Sequence, residues 1–141
     1  MLRRFPQSSR EEVHQAYEVA RAAQLIWRKK SRLQRAEYMY EVAKLIEERR
    51  SDLAKIISLE TGKNYNESIA EVNEALHMAQ FAFGSGRTTT GEAVASEIAD
   101  KDAYMLRKPK GVIAIVSPFN FPLAIGAFRC AAPALVEGNT V

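Results

Sequence analysis

The 141 residues contain one cysteine, Cys130, so an internal disulfide is excluded. Two histidines, His14 and His77, have no Cys or Asp partner nearby in sequence, so metal-ligand spacing is missing, no metal is expected, and both read as surface or satisfied side chains. Long apolar runs are missing too. None reaches the roughly 18 to 20 residues of a membrane span, because Arg129 interrupts the stretch that comes nearest. Met1–Gln7 carries charge without an apolar segment, so it does not read as a signal peptide, and a cytoplasmic location is predicted. The Gly84–Gly91 stretch lacks the Lys-Ser/Thr ending of a phosphate-binding loop and reads as a flexible linker between a helical half and the strands. Internal repeats, heptads and low-complexity tracts are absent.

What is present is the balance of a globular chain, 47% hydrophobic and 26% charged, long enough to bury the core of one domain. The net charge of +3 is uneven: residues 1–50 hold twelve Lys or Arg against seven Asp or Glu, and the remainder is slightly acidic. The basic residues interleave with acids at helical spacing, as in Glu41, Lys44 and Glu48, without the aromatic and glycine pattern of an RNA-binding sheet. No nucleic-acid partner is predicted.

Ser9 and Glu12 form a capping box, and Val13, Ala16, Tyr17, Ala20, Ala23 and Trp27 follow at spacings of three and four. A helix with one apolar stripe is predicted to about Lys30. Ser31, with Gln34 three residues on, starts a second helix with Leu33, Ala36, Tyr40, Ala43 and Ile46 inward. Ser51 is the expected cap of a third, with Leu53, Ile56 and Ile57 on a face that carries Glu60 round with it, and Gly62 ends it. Glu60 is expected to pair or to hold the Gly62 turn, since one acid without a base gives no mechanism. A fourth helix, about Asn66 to Phe83, places Ile69, Val72, Leu76, Ala79 and Phe83 in the core.

Glu92–Glu97 and Ala103–Lys108 predict two short strands joined by a polar turn, a hairpin too small to be stable alone. Val112–Val116 is a continuous apolar run, as for a strand covered on both faces of a parallel sheet. Pro118 stops it and Pro122 suits the first turn of a helix. That helix, about Pro122 to Val136, is apolar on nearly every side except at Arg129 and is expected to be buried, with Gly138 ending it. The segment is thus half of a βαβ unit, and ligands of open α/β sheets bind at the carboxyl ends of strands. Asn120 stands at such an end between Phe119 and Phe121. Its amide has two uses open to it: a local one, bonding backbone in a turn or cap, or donation to an oxygen that gains charge during a reaction.

Gly111-Val-Ile-Ala-Ile-Val-Ser-Pro-Phe-Asn-Phe-Pro-Leu-Ala124, followed by Ala132-Pro-Ala-Leu-Val-Glu-Gly-Asn-Thr-Val141, strongly resembles the aldehyde dehydrogenase superfamily. Leu59-Glu-Thr-Gly-Lys63, with Glu67 and Glu71 following, is similar to an early segment of the same family, and the likeness runs from about Ser8 to Val141. The resemblance implies NAD or NADP as cofactor, an aldehyde substrate, Asn120 as an oxyanion donor to a thiohemiacetal, and Val116, Ser117, Pro118, Phe119 and Asn120 at the cofactor. It implies an α/β fold: an N-terminal helical layer (about 9–83), a β-hairpin arm (about 92–108) that serves homo-oligomer formation, and the first strand-loop-helix (111–138) of a Rossmann-like parallel sheet. Residues 1–141 would be part of a cofactor-binding domain, incomplete at both ends.

The family's cysteine nucleophile, glutamate base and cofactor lysine have no counterpart in the sequence. Cys130 lies in the helix ten residues past Asn120, where apolar surroundings disfavour thiolate, and it is expected to be core packing. Arg129 should need a carboxylate, with none close in sequence. Two functions remain open: a segment of an aldehyde-oxidising enzyme, inactive alone, or a non-catalytic fragment acting as an interaction module.

Overall fold

Helix starts are set by side chains that turn back on the backbone, and a computed structural model, which describes residues 6–141, has them at three of the four long helices. Met1–Phe5, on which most of the leader-segment expectation rests, lies outside the described residues. In α1 (Arg10–Trp27) the Ser9 hydroxyl accepts the Glu12 N–H at 3.1 Å, and the Glu12 carboxylate accepts the Ser9 N–H at 2.7 Å. Ser31 and Gln34 repeat the exchange at 3.1 and 2.8 Å for α2 (Arg32–Glu48). The third start differs from expectation. α3 (Arg50–Thr61) follows α2 almost without a break, its cap is Arg49, and Ser51 lies inside the first turn. A capping hydroxyl must stand just before the helix on extended backbone; Ser51 is already helical, and Arg49, at φ −101° and ψ 14°, takes the cap position without a side-chain bond. Gly62, at φ 77°, ends α3. Thr61 holds that turn, donating to the Ile57 carbonyl at 2.7 Å and accepting from the Lys63 N–H at 3.2 Å, while Glu60 is exposed. Asn64 caps α4 (Tyr65–Ser85) by accepting the Glu67 N–H at 2.9 Å.

α4 is the centre of the core, packed against α2, α3 and the segment that follows Phe121. Ala75, Ala79 and Ala82 are fully buried on it, and such small side chains let neighbouring backbones come close. α2 is rotated from the expected face: Met39 is buried, whereas Leu33 and Tyr40 are exposed. Arg35, one turn before Met39, is drawn inward because its Nε donates to the Val136 carbonyl at 2.8 Å. The stripe of α1 departs further. Val13 and Tyr17 are exposed, and Gln24 is the helix's buried residue. α1 is tied down at its C-terminal half by polar bonds: Gln24 to the Gly138 carbonyl (3.2 Å), Trp27 to the Leu135 carbonyl (2.8 Å) and Thr140 to the Ala20 carbonyl (2.8 Å).

The predicted linker is a pinned turn rather than a flexible one. Gly86 is buried against α2, and Arg32 donates to the Thr88 carbonyl at 2.9 Å. β1 (Gly91–Val94) and β2 (Ala103–Leu106) then form an antiparallel hairpin, shorter than expected, with Gly91 opposite Leu106 and Val94 opposite Ala103. The predicted strand Val112–Val116 is reduced to one parallel bridge, Val112 with Thr140. A two-faced strand needs a neighbour on each side, and one bridge among the described residues cannot organise the run. Downstream, Ala124–Ala131 is a π-helix that continues as α5 (Ala132–Val136), with Gly138 at φ 88° closing it. Ala124, Phe128, Ala132 and Val136 make its buried stripe, four residues apart, and they face α4. The helix is therefore one-sided, not buried all round, and Cys130 is half-buried instead of core. Among the described residues no helix is long and apolar enough to cross a membrane, and no cluster of His, Cys, Asp and Glu could hold a metal.

Candidate functional site

The loop around Asn120 is placed by a carboxylate fifty residues earlier. Glu71 is 1% exposed on α4, and its Oε1 accepts the N–H of Leu123 at 2.9 Å and of Ala124 at 3.3 Å. These amides open the π-helix, where the first N–H groups have no partner inside the helix and a negative charge is favoured. Glu71 Oε2 accepts from the Lys63 ammonium at 2.6 Å, and that ammonium lies 3.9 Å from the centre of the Phe121 ring. Burying one carboxylate is tolerated because both oxygens are bonded and its charge is matched. Lys63 and Glu71 therefore carry a long-range role that sequence reasoning missed. Glu67, Glu71 and Glu74 recur at helical spacing on one side of α4, and nothing in that pattern singles out Glu71 as the buried one.

On the other side of the loop, Ser117 is seated on Gly126, where an added Cβ would come within 2.9 Å of the Ser117 hydroxyl. Between Ser117 and Phe121 the chain stands in solvent: Val116 is 100% exposed, Phe119 90%, and Pro118 and Asn120 are exposed. The five predicted site residues are thus contiguous on one ledge, apolar at Val116, Pro118 and Phe119. Asn120 is not held among apolar neighbours, and makes no hydrogen bond to another described residue.

Next to the ledge is a cleft of about 390 Å³ lined by Lys63, Glu67, Glu71, Glu74 and Phe121. Glu74 at its edge receives Arg129 at 2.6 Å, so the carboxylate missing near Arg129 in sequence comes from α4. At the far end of α5, Arg32 pairs with Glu137 and Arg35 lies against Gly138. Burial pushes the Arg35 guanidinium below its usual pKa, Glu137 acts to raise it, and Arg32 adds to the lowering. The helix behind the ledge is thus clamped at both ends, by an acid at its start and by arginines at its finish.

A helical layer, a small antiparallel hairpin and an exposed apolar loop clamped at a helix start define a mixed α/β chain. The Aldehyde dehydrogenase family profile matches residues 1–141, and the chain belongs to that family. It is 38% identical over 136 residues to an alpha-ketoglutaric semialdehyde dehydrogenase of Bacillus subtilis, covering 95% of this chain and 27% of that protein. A betaine aldehyde dehydrogenase of Staphylococcus aureus, solved with NAD+, superimposes with a TM-score of 0.89 at 29% identity, over 94% of this chain and 27% of that one. An NADP-dependent enzyme of E. coli does so with a TM-score of 0.87 at 32% identity, over 92% and 27%. The chain spans less than a third of the length of these relatives.

Proposed function

We propose that residues 1–141 form part of the cofactor-binding domain of an enzyme that oxidises an aldehyde to a carboxylic acid with NAD or NADP. The observation that carries this is the unbonded amide of Asn120 on an apolar ledge fixed on both flanks. The ledge carries no charge from Val116 to Phe121, which suits the flat nicotinamide end of the cofactor and not its phosphates. Val116, Ser117, Pro118 and Phe119 would line that end. NAD or NADP, when bound, accepts the hydride. Asn120 would donate its NH₂ to the oxygen of a thiohemiacetal formed on a cysteine, and an oriented donor stabilises the charge that develops there. That cysteine and its glutamate base are assigned to polypeptide outside these residues, so the 141-residue chain is inactive alone. The parallel sense of the Val112–Thr140 bridge supports Val112–Val116 as the first strand of a Rossmann-like sheet once further strands flank it. Exposed Val94, Tyr104, Met105 and Leu106 support the hairpin as an arm for homo-oligomer formation, and the expected location is the cytoplasm.

In a full-length polypeptide containing this chain, Asn120→Ala should lower kcat by roughly 10²- to 10³-fold, as for loss of one oxyanion donor. An unchanged kcat where chemistry limits turnover removes Asn120 from the mechanism. A second function, a non-catalytic interaction module, is favoured by the uncovered apolar face of α1. Its test is the coding sequence on either side of the chain: with no cysteine and glutamate motif there, the module is the better description.

A further inference from the structure

We propose that Glu71 and Lys63 are positioning residues for Asn120, setting the direction in which its amide points. This rests on the oxyanion role proposed above. Asn120 itself has no bond within the described chain to fix it, so its direction is inherited from its neighbours. On its C-terminal side Phe121 lies under the Lys63 ammonium, and two residues further on the Leu123 and Ala124 amides converge on Glu71 Oε1. One carboxylate thus holds the backbone just beyond Asn120 directly and Phe121 through Lys63. An apolar residue at position 71 would pack equally well but leave both amides without a partner at a buried helix start. The charge matters separately from the shape: a carboxylate accepts more strongly than a neutral amide oxygen, and only a carboxylate offers one oxygen to the backbone amides and a second to the lysine. A misplacement of a reacting group by about 1 Å can lower turnover by as much as 10²-fold, so this clamp acts on rate without touching the substrate.

A mutant cycle in the full-length polypeptide tests it, with Glu71→Gln, Asn120→Ala and the double variant. Glu71→Gln should lower kcat by about ten- to a hundredfold, with the cofactor KM changed by less than about threefold. In the Asn120→Ala background the same change should have almost no further effect, because its target is gone. Lys63→Arg should restore most of the turnover lost in Lys63→Met. Equal losses from Glu71→Gln in both backgrounds overturn the proposal, since a general structural defect does not depend on Asn120. If Asn120→Ala leaves kcat unchanged, the oxyanion role fails, and the positioning claim is decided separately by amide hydrogen exchange on the 141-residue chain. There Glu71→Gln should speed exchange at Leu123 and Ala124 by about threefold or more and move the side-chain amide signals of Asn120. Unaltered exchange and unmoved signals overturn it. Where Glu71→Gln does not fold, Lys63→Met is read by the same two measurements with the same outcomes.

Discussion

The seam between α4 and the π-helix and the length of α1 show two ways in which a helix with an apolar stripe can end up. At the seam, Val72, Ala75 and Ala79 bury against Ala124, Phe128 and Ala132, and the one charge among them, Glu71, has a partner for each oxygen. Along α1, Tyr17 is 48% exposed, and the helix is held by a few polar bonds near its C-terminus. Both stripes were equally regular in sequence. Periodicity states that a face can be buried, whereas burial itself depends on what the rest of the chain brings to it. The seam is closed by residues 45 to 60 positions apart, whereas Val13 and Tyr17 of α1 have no such apolar cover among the described residues.

Removing the acid at the seam should give the largest effect. Glu71→Ala leaves the Lys63 ammonium without its counter-charge and strips two amides of their acceptor, and breaking a buried pair costs about 3 to 5 kcal/mol. Urea denaturation of the 141-residue chain measures this. Tyr17→Ala, at the exposed stripe of α1, is the matched control and should fall within about 0.5 kcal/mol. Similar losses at both positions would erase the distinction between the two regions, and would mean that α1 is packed against something in solution.

Next in size is the cap of α1. Ser9→Ala removes the acceptor of the Glu12 N–H and should cost about 1 kcal/mol if α1 unfolds together with the body. If α1 frays independently, the same substitution lowers its helicity and leaves the main transition where it was. Circular dichroism and the urea midpoint, taken together, separate the two. The outcome sharpens the contrast, because it asks whether three polar bonds suffice to make α1 part of one cooperative unit.

How much of this was legible in the sequence follows the same division between near and far. The capping boxes at Ser9 and Ser31 and the stops at Gly62 and Gly138 depend on residues within four positions, and all four stand as read. Ser51 failed because the expected break between α2 and α3 does not occur, a continuity that the absence of glycine or proline between Arg32 and Thr61 already allowed. The Val112–Val116 run was read from composition alone, and a strand exists only with neighbours to bond. The contiguity of Val116–Asn120 was evident, but its exposure was not, since apolar residues ordinarily imply cover. Glu71 and Arg129 found partners at separations of 52 and 55 positions, beyond the reach of any periodic pattern. The π-helical winding had no sequence signal.

The smallest effect compares two Lys–Glu pairs of the same chemistry in different surroundings. Lys63 meets Glu71 in the interior at 2.6 Å, while Lys44 meets Glu41 at 2.8 Å on the open side of α2. The Lys44 ammonium is held above its usual pKa by its hydrogen bond to Glu41, then by the charge of Glu41, with smaller help from Tyr40 and Glu48. A folded-state pKa raised above the unfolded value of about 10.4 means that the pair's contribution is whole below that pH and fades as pH rises through the folded value. Lys44→Met should therefore lower the urea midpoint only slightly at pH 8, and the gap to the parent chain should close once the pH passes the raised value. At pH 8, Lys63→Met should lower the midpoint far more, because it leaves the Glu71 carboxylate buried without its counter-ion. Equal shifts from the two lysine variants would mean that water reaches the Glu71 carboxylate as freely as it reaches Glu41, and the seam would then be no drier than the surface.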